Sequence, residues 1–211
     1  MSDHHAQQLE RLTFFSDAVF AIAITLLVIE IHVPHLPGGG DQAYLQALYG
    51  LLPHLFGFVL SFLVIGALWA SHHRVFGMLQ GHDDGLVWPN LLFLLSIAFM
   101  PFATALMSGD VNGRVPALFY AASLLLAGLL QRWLFTRALR APRVRPQVEP
   151  AEIAAARWRT LALPCAALAA LLVAWTAPPL SYLCYALIPF LTRLLAAQGR
   201  RRARRRQAVA A

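Results

Sequence analysis

Lysine is absent from this sequence, and charge of either sign is scarce. The 211 residues carry 17 arginines and 10 carboxylates, 13% charged in all, where a soluble domain carries roughly a quarter. With 59% hydrophobic residues and a mean hydropathy of +0.60, that shortage excludes a soluble globular domain and equally a disordered chain. Cysteine is nearly absent as well. Cys165 and Cys184 both fall inside apolar runs, so a disulfide-built secreted scaffold is excluded and buried thiols in lipid are expected. The sequence also lacks a Gly-rich phosphate loop and a Gly-x-Ser-x-Gly elbow, two common bases for an enzymatic reading.

What the sequence does have is apolar length. Six membrane helices of about 20 residues use about 120 positions, which leaves no room for a separate catalytic domain. The apolar runs are Phe14–Val33, Tyr44–Trp69 with Pro53 near its start, Leu86–Met107 with Pro101 inside it, Val115–Phe135, Leu161–Ala177 and Leu180–Leu195. The last two meet at Pro178-Pro179 and should form a tight hairpin. The first run is too long and, with Asp17, too acidic for a signal peptide. The expected fold is therefore an all-α membrane protein. A single six-helix membrane domain takes up residues 1–211, with its spans at about 8–195 and a polybasic tail at 196–211.

Six spans put both termini on one side. Arg11, Arg74, the six arginines from Arg137 to Arg159 and the seven from Arg193 to Arg206 all belong to that side. Only Arg114 belongs to the other, while Arg132 lies within the fourth span. The positive-inside rule then puts both termini in the cytoplasm of a multi-pass protein of the cell membrane, by expectation a bacterial inner membrane. It also explains the net charge of +7 better than nucleic-acid binding does. The run Arg200–Arg206 reads as a segment held against anionic lipid headgroups.

The first span carries the most information. An aspartate at the centre of a span costs roughly 2.5–3.5 kcal/mol on insertion scales. Asp17 sits near the amino-terminal end, where the helix dipole favours a carboxylate, so a helix-start role accounts for it by itself. At about 100° per residue from Ile22, Leu26 falls at about +40°, Ile29 at about −20° and Thr25 at about −60°. Asp17 lies at about −140° and Ser16 at about +120°, both away from this branched stripe. By spacing alone, such a stripe is a packing face.

The string from Arg11 to Glu30, with Arg11, Phe15, Ser16 and Asp17 spaced as Arg, three residues and then Phe-Ser-Asp, resembles the first-helix signature of the transmembrane protein 175 family of endolysosomal and bacterial potassium channels. Leu68-Trp69-Ala70-Ser71-His72-His73-Arg74 resembles the end of that family's second helix. The resemblance implies a cation channel of the bacterial single-repeat type, not an enzyme, with no cofactor and K+ as the permeant ion. It implies a homotetramer in which four first helices line the path, and an aliphatic constriction at Ile22, Leu26 and Ile29 with Thr25 alongside. No Thr-Val-Gly-Tyr-Gly loop is present to replace an ion's hydration shell with carbonyls. Selection would then rest on the cost of shedding water at an aliphatic ring, giving modest K+ over Na+ discrimination and a gate that closes by dewetting. The family's animal members also conduct protons, so proton passage along the same path is compatible with the resemblance. Arg11, Phe15, Ser16 and Asp17 are expected in a structural polar network with Trp69, His72 or His73 that fixes the rotation of the first helix. Arg11 itself lies at about −20°, on the azimuth of the stripe, which leaves the inner vestibule open to it as well.

Two rival readings have some footing. His72, His73, His82, Asp83 and Asp84 are ligand types for a transition metal, but their spacing matches no His-x-x-x-His or His-x-x-Glu-His site. A small proton- or cation-coupled secondary transporter could use Asp17 and Glu30, although 211 residues leave no second repeat. The topology is open to a direct test: a reporter fused after Ala211 should behave as cytoplasmic and one inserted at Gly39 as external. An internal signal from Gly39 would overturn the six-span map.

Overall fold

In hydrocarbon every backbone amide has to find its partner within the chain, which makes a helix the natural way for these runs to cross. A computed structural model describes residues 2–32, 34, 40–81 and 84–210. Among them there is no strand. The helices are α1 (Ser2–Ile29), α2 (Asp41–Gly50), α3 (Leu52–Phe76), α4 (Val87–Ala98), α5 (Met100–Gly109), α6 (Arg114–Ala138), α7 (Pro150–Arg159), α8 (Ala162–Ala174), α9 (Pro178–Ser181) and α10 (Ile188–Ala210), with 3-10 turns at Asp84–Leu86 and Tyr182–Leu187. Six segments are long and apolar enough to cross a membrane: Gln7–Ile29, Leu52–Phe76, Val87–Gly109, Arg114–Ala138, Pro150–Ala174 and Pro178–Ala208. The helix break expected at His35–Gly39 lies outside the described residues.

Several boundaries differ from the hydropathy reading. The first helix begins at Ser2 and ends at Ile29, before the expected Val33. The second run is two helices, because the chain leaves α2 at Gly50 and restarts at Leu52 with Pro53 in the first turn of α3. Proline has no N–H to donate and suits the start of a helix. The third span is jointed at Phe99 for the same reason, with Pro101 in the first turn of α5. The fifth and sixth spans, short by composition, are lengthened by α7 and α10, which pack against each other.

Small residues set the closest approaches, as they do where helices meet in lipid. A Cβ on Gly128 would stand 2.9 Å from Pro164 Cδ, so α6 and α8 touch backbone to ring. The same face of α8 buries Ala166, Ala167, Ala170 and Ala174. Larger side chains fill the centre of the bundle, with Phe20, Ile65, Phe93, Met100, Tyr120, Leu124 and Phe135 all fully buried. Cys165 is exposed and Cys184 half-buried, and both are free thiols.

The second and fourth loops are tied together by one isolated bridge, Leu79 to Val144. Gln80 N–H donates to Arg143 O at 2.9 Å and Arg145 N–H to Met78 O at 3.0 Å. This brings Arg74, Arg145 and the arginines of α7 and α10 to one end of the bundle, while Arg114 packs over Trp175 at the other. The basic tail is not a separate segment. It is the continuation of the sixth span, laid on α7 where a Cβ on Gly199 would come 2.8 Å from Ala154 O and where Arg202 sits 4.4 Å from the Trp158 ring centroid.

Gly128→Val should therefore force α6 and α8 apart and cost about 1–3 kcal/mol, read as a lower melting temperature of the detergent-solubilised protein. Gly66→Val is the comparison, since a Cβ there meets nothing within 4 Å, and it should melt close to the parent.

The first helix as candidate functional site

The first helix packs with one face and leaves the other bare. Leu9, Ser16, Phe20, Ala23 and Leu27 are buried, and on the wheel they fall between about +100° and +160° from Ile22. Facing away from them, Ile22 is 58% exposed, Leu26 40% and Ile29 62%, with Thr25 also exposed. The sequence-derived stripe is thus the side of α1 that this chain does not cover. The Thr25 hydroxyl donates to its own helix, 3.0 Å from Ala21 O and 2.9 Å from Ile22 O.

The packed face is held by a directed chain of hydrogen bonds. Asn90 Nδ2 donates to Ser16 Oγ at 2.9 Å, and Ser16 Oγ donates to Leu12 O at 2.8 Å. His72 Nε2 lies 3.0 Å from Asn90 Oδ1. The amide oxygen can only accept, so the imidazole proton sits on Nε2. All three side chains are fully buried. His72 Nδ1 has no partner among the described residues. It lies within an aromatic box, with the Phe76 ring stacked at 3.9 Å and the Phe20, Phe93 and Phe135 rings between 5.8 and 6.4 Å. One residue each from α1, α3 and α4 meets at this chain, and Phe135 of α6 closes the box.

Asp17 takes a different partner. Its Oδ1 accepts from Trp69 Nε1 at 2.8 Å, and the Trp69 ring in turn lies 5.7 Å from that of His73. The structure therefore brings Ser16, Asp17, Trp69, His72 and His73 to the contact of α1 with α3, and leaves Arg11 and Phe15 outside it. Arg11 is exposed with no hydrogen-bond partner among the described residues, and Phe15 is 51% exposed. Geometry explains the separation. Positions 11 and 17 are six residues apart, which turns their side chains about 120° from one another. Arg11 and Phe15 therefore stand outside the expected network and lie with the stripe.

Asn90 is the residue of this hydrogen-bonded chain that the sequence analysis missed. An amide inside an apolar third span was the available signal, since polar groups at that depth are costly and need partners. A second buried chain, Tyr120 OH to Ser61 Oγ at 2.9 Å and Ser61 Oγ to Thr104 Oγ1 at 2.7 Å, binds α3, α5 and α6. The Thr104 hydroxyl is already donated to Met100 O, which sets the direction of the other two. No group of three metal-ligating side chains forms among the described residues. His82 and Asp83 of the metal reading lie outside them.

Asn90→Leu should leave the His72 Nε2–H unsatisfied in the core, at about 1–3 kcal/mol, and remove the bond that Ser16 accepts while Ser16 keeps Leu12 O, measured as a fall in melting temperature in detergent. Asp17→Asn keeps an acceptor for Trp69 and should melt near the parent, whereas Asp17→Leu should not. An Asn90→Leu protein as stable as the parent would show that the chain of bonds does not hold α1.

Comparison with known proteins bears on the same helices. The family model described as endosomal/lysosomal potassium channel TMEM175 matches residues 11–101, from the start of the signature into the third span. A potassium channel of Chamaesiphon minutus is 36% identical over 140 residues, which cover 65% of this chain and 69% of that one. A potassium channel of Streptomyces collinus is 44% identical over 98 residues, 46% of this chain and 47% of its own. The crystal structure of a lysosomal potassium-selective channel TMEM175 homolog from Chamaesiphon minutus superposes with a TM-score of 0.77 at 30% identity, covering 90% of this chain and 98% of that one. Signature, six-span architecture and relatives agree, and this multi-pass membrane chain belongs to the TMEM175 family.

Proposed function

We propose that this chain is the subunit of a homotetrameric cation channel, with four copies of α1 around the path. K+ passes in modest preference to Na+, and Ile22, Leu26 and Ile29 form the constriction with Thr25 beside it. In this reading both termini lie in the cytoplasm of a bacterial inner membrane, and Arg200–Arg206 rests against anionic headgroups. The observation that carries the proposal is the bare stripe of α1: Ile22, Leu26 and Ile29 of the signature helix are all exposed in the single chain. Arg11 shares its azimuth and is also exposed. A path opening into an aqueous vestibule accommodates its guanidinium.

The chemistry follows from what the stripe offers an ion. With the Thr25 hydroxyl bonded to its own helix, the narrow part presents methyl groups and no ring of carbonyls. An ion passing it gives up water without compensation, and K+ sheds water at lower cost than Na+. Discrimination built on that difference is small. The same lack of polar contact allows the ring to empty of water and close, which is gating by dewetting. Protons need a continuous water file through the same ring, so their passage rises and falls with its wetting.

A carrier finds less support. Asp17, the carboxylate a proton-coupled transporter would use, is bonded to Trp69 and lies away from the stripe.

Ile22→Asn supplies amides where there had been only methyls and lowers the desolvation barrier. In planar-bilayer recordings, unitary conductance should rise and the K+/Na+ permeability ratio should fall toward unity. Val28→Asn is the comparison, since Val28 is also exposed but lies about 120° from Ile22. Equal effects at the two positions would reject the pore assignment.

A further inference from the structure

At the arginine-rich end, a cavity of about 320 Å³ opens between the second, fourth, fifth and sixth spans. Arg74, Arg159 and Arg193 face it, one each from α3, α7 and α10, together with Gln131 of α6. No lining residue is acidic. Neighbouring arginines have found oxygens of the chain: Arg132 donates to Thr160 Oγ1, Arg145 to Leu79 O and Arg157 to Leu139 O. Arg74, Arg159 and Arg193 have no such bond or ion pair among the described residues. Arg159 also stands in the field of two like charges, Arg74 and Arg200, opposed only by Glu152. Three guanidiniums of one sign converging on one space call for an anion, and the planar fork of arginine fits phosphate oxygens in particular.

The height of the cavity indicates which phosphate. At about 1.5 Å per residue, these three arginines and Gln131 lie roughly 20–35 Å along their spans from the opposite end of the bundle. Against a hydrocarbon core about 30 Å thick, Arg74 reaches the boundary, while Gln131, Arg159 and Arg193 lie in the outer third next to it. Apart from Ser71 and Thr192 the remaining wall is apolar, with Ala67, Leu163 and Ile188 among its residues, so it accepts a hydrocarbon chain that a soluble anion lacks. We propose that this cavity is a stoichiometric site for an anionic phospholipid. Its phosphate is held by Arg74, Arg159 and Arg193, and an acyl chain lies along the apolar wall. Because each arginine belongs to a different span, the bound phosphate ties the second, fifth and sixth spans together. The site is separate from the diffuse attraction of Arg200–Arg206, and it does not depend on the channel reading.

The test uses the full chain, delipidated in mild detergent and followed by melting temperature and native mass spectrometry. Dioleoylphosphatidylglycerol should raise the melting temperature saturably at one lipid per subunit, and dioleoylphosphatidylcholine should not. Equal stabilisation by phosphatidylcholine overturns the charge argument, and equal stabilisation by sn-glycerol 3-phosphate overturns the lipid assignment. Both arms use the unmutated protein, so they stand even if a variant folds badly. Arg159→Gln and Arg193→Gln should each weaken phosphatidylglycerol binding about fivefold, while the tail pair Arg204→Gln and Arg205→Gln leaves it unchanged. Loss of the bound lipid in the tail variant with retention in the other two would contradict the site.

Discussion

The hydrogen-bonded chain from His72 through Asn90 to Ser16 sets the rotation of the first helix about its own axis, and the remaining architecture depends on that rotation. Each group has a single arrangement that satisfies it. The His72 proton points at the Asn90 oxygen, the Asn90 amide nitrogen at Ser16, and the Ser16 proton at its own helix. Turning α1 by one residue would carry Ser16 about 100° away and leave buried donors and acceptors unpaired, at a cost water cannot relieve inside a bilayer. Phe20, Ala23 and Leu27 follow Ser16 into the core. The branched residues Ile22, Leu26 and Ile29 are thereby held outward.

Polar groups elsewhere obey the same constraint by other means. Near mid-bundle, Tyr120, Ser61 and Thr104 satisfy one another. At the end of the bundle some arginines donate to chain carbonyls or a threonine, some stack on Trp133 or Trp158, and three line a cavity with no carboxylate in its wall. The arginine-rich end is also where α10 lies along α7, closed at Gly199. That end is therefore a folded basic layer rather than a flexible appendage.

Much of this could be read from the sequence because the bilayer imposes so few solutions. Hydropathy located the six spans, and the wheel placed Ser16 and Asp17 away from Ile22, Leu26 and Ile29 before any contact was known. Other features escaped for physical reasons. Hydropathy averages over a joint such as Leu51, where backbone geometry rather than polarity changes. Asn90 is one amide in an apolar span, and nothing local names a partner 74 positions away. Gly199, just before the run of arginines, is the small residue that lets α10 approach Ala154, and hydropathy gives no sign of it. The resemblance grouped Arg11 with Asp17 in one network, although azimuths of about −20° and −140° already turned the two side chains apart.

The central claim is that the face left bare by this anchoring lines an aqueous path in the assembled protein. Thiol accessibility tests it most directly. With Cys165 and Cys184 replaced, single cysteines are placed in turn at Ile22, Ile29 and Val28 of the channel in planar bilayers, and a charged, membrane-impermeant thiosulfonate is added during recording. If the stripe lines the path, current is blocked at positions 22 and 29 and unaffected at 28. Block at all three, or at none, would contradict it.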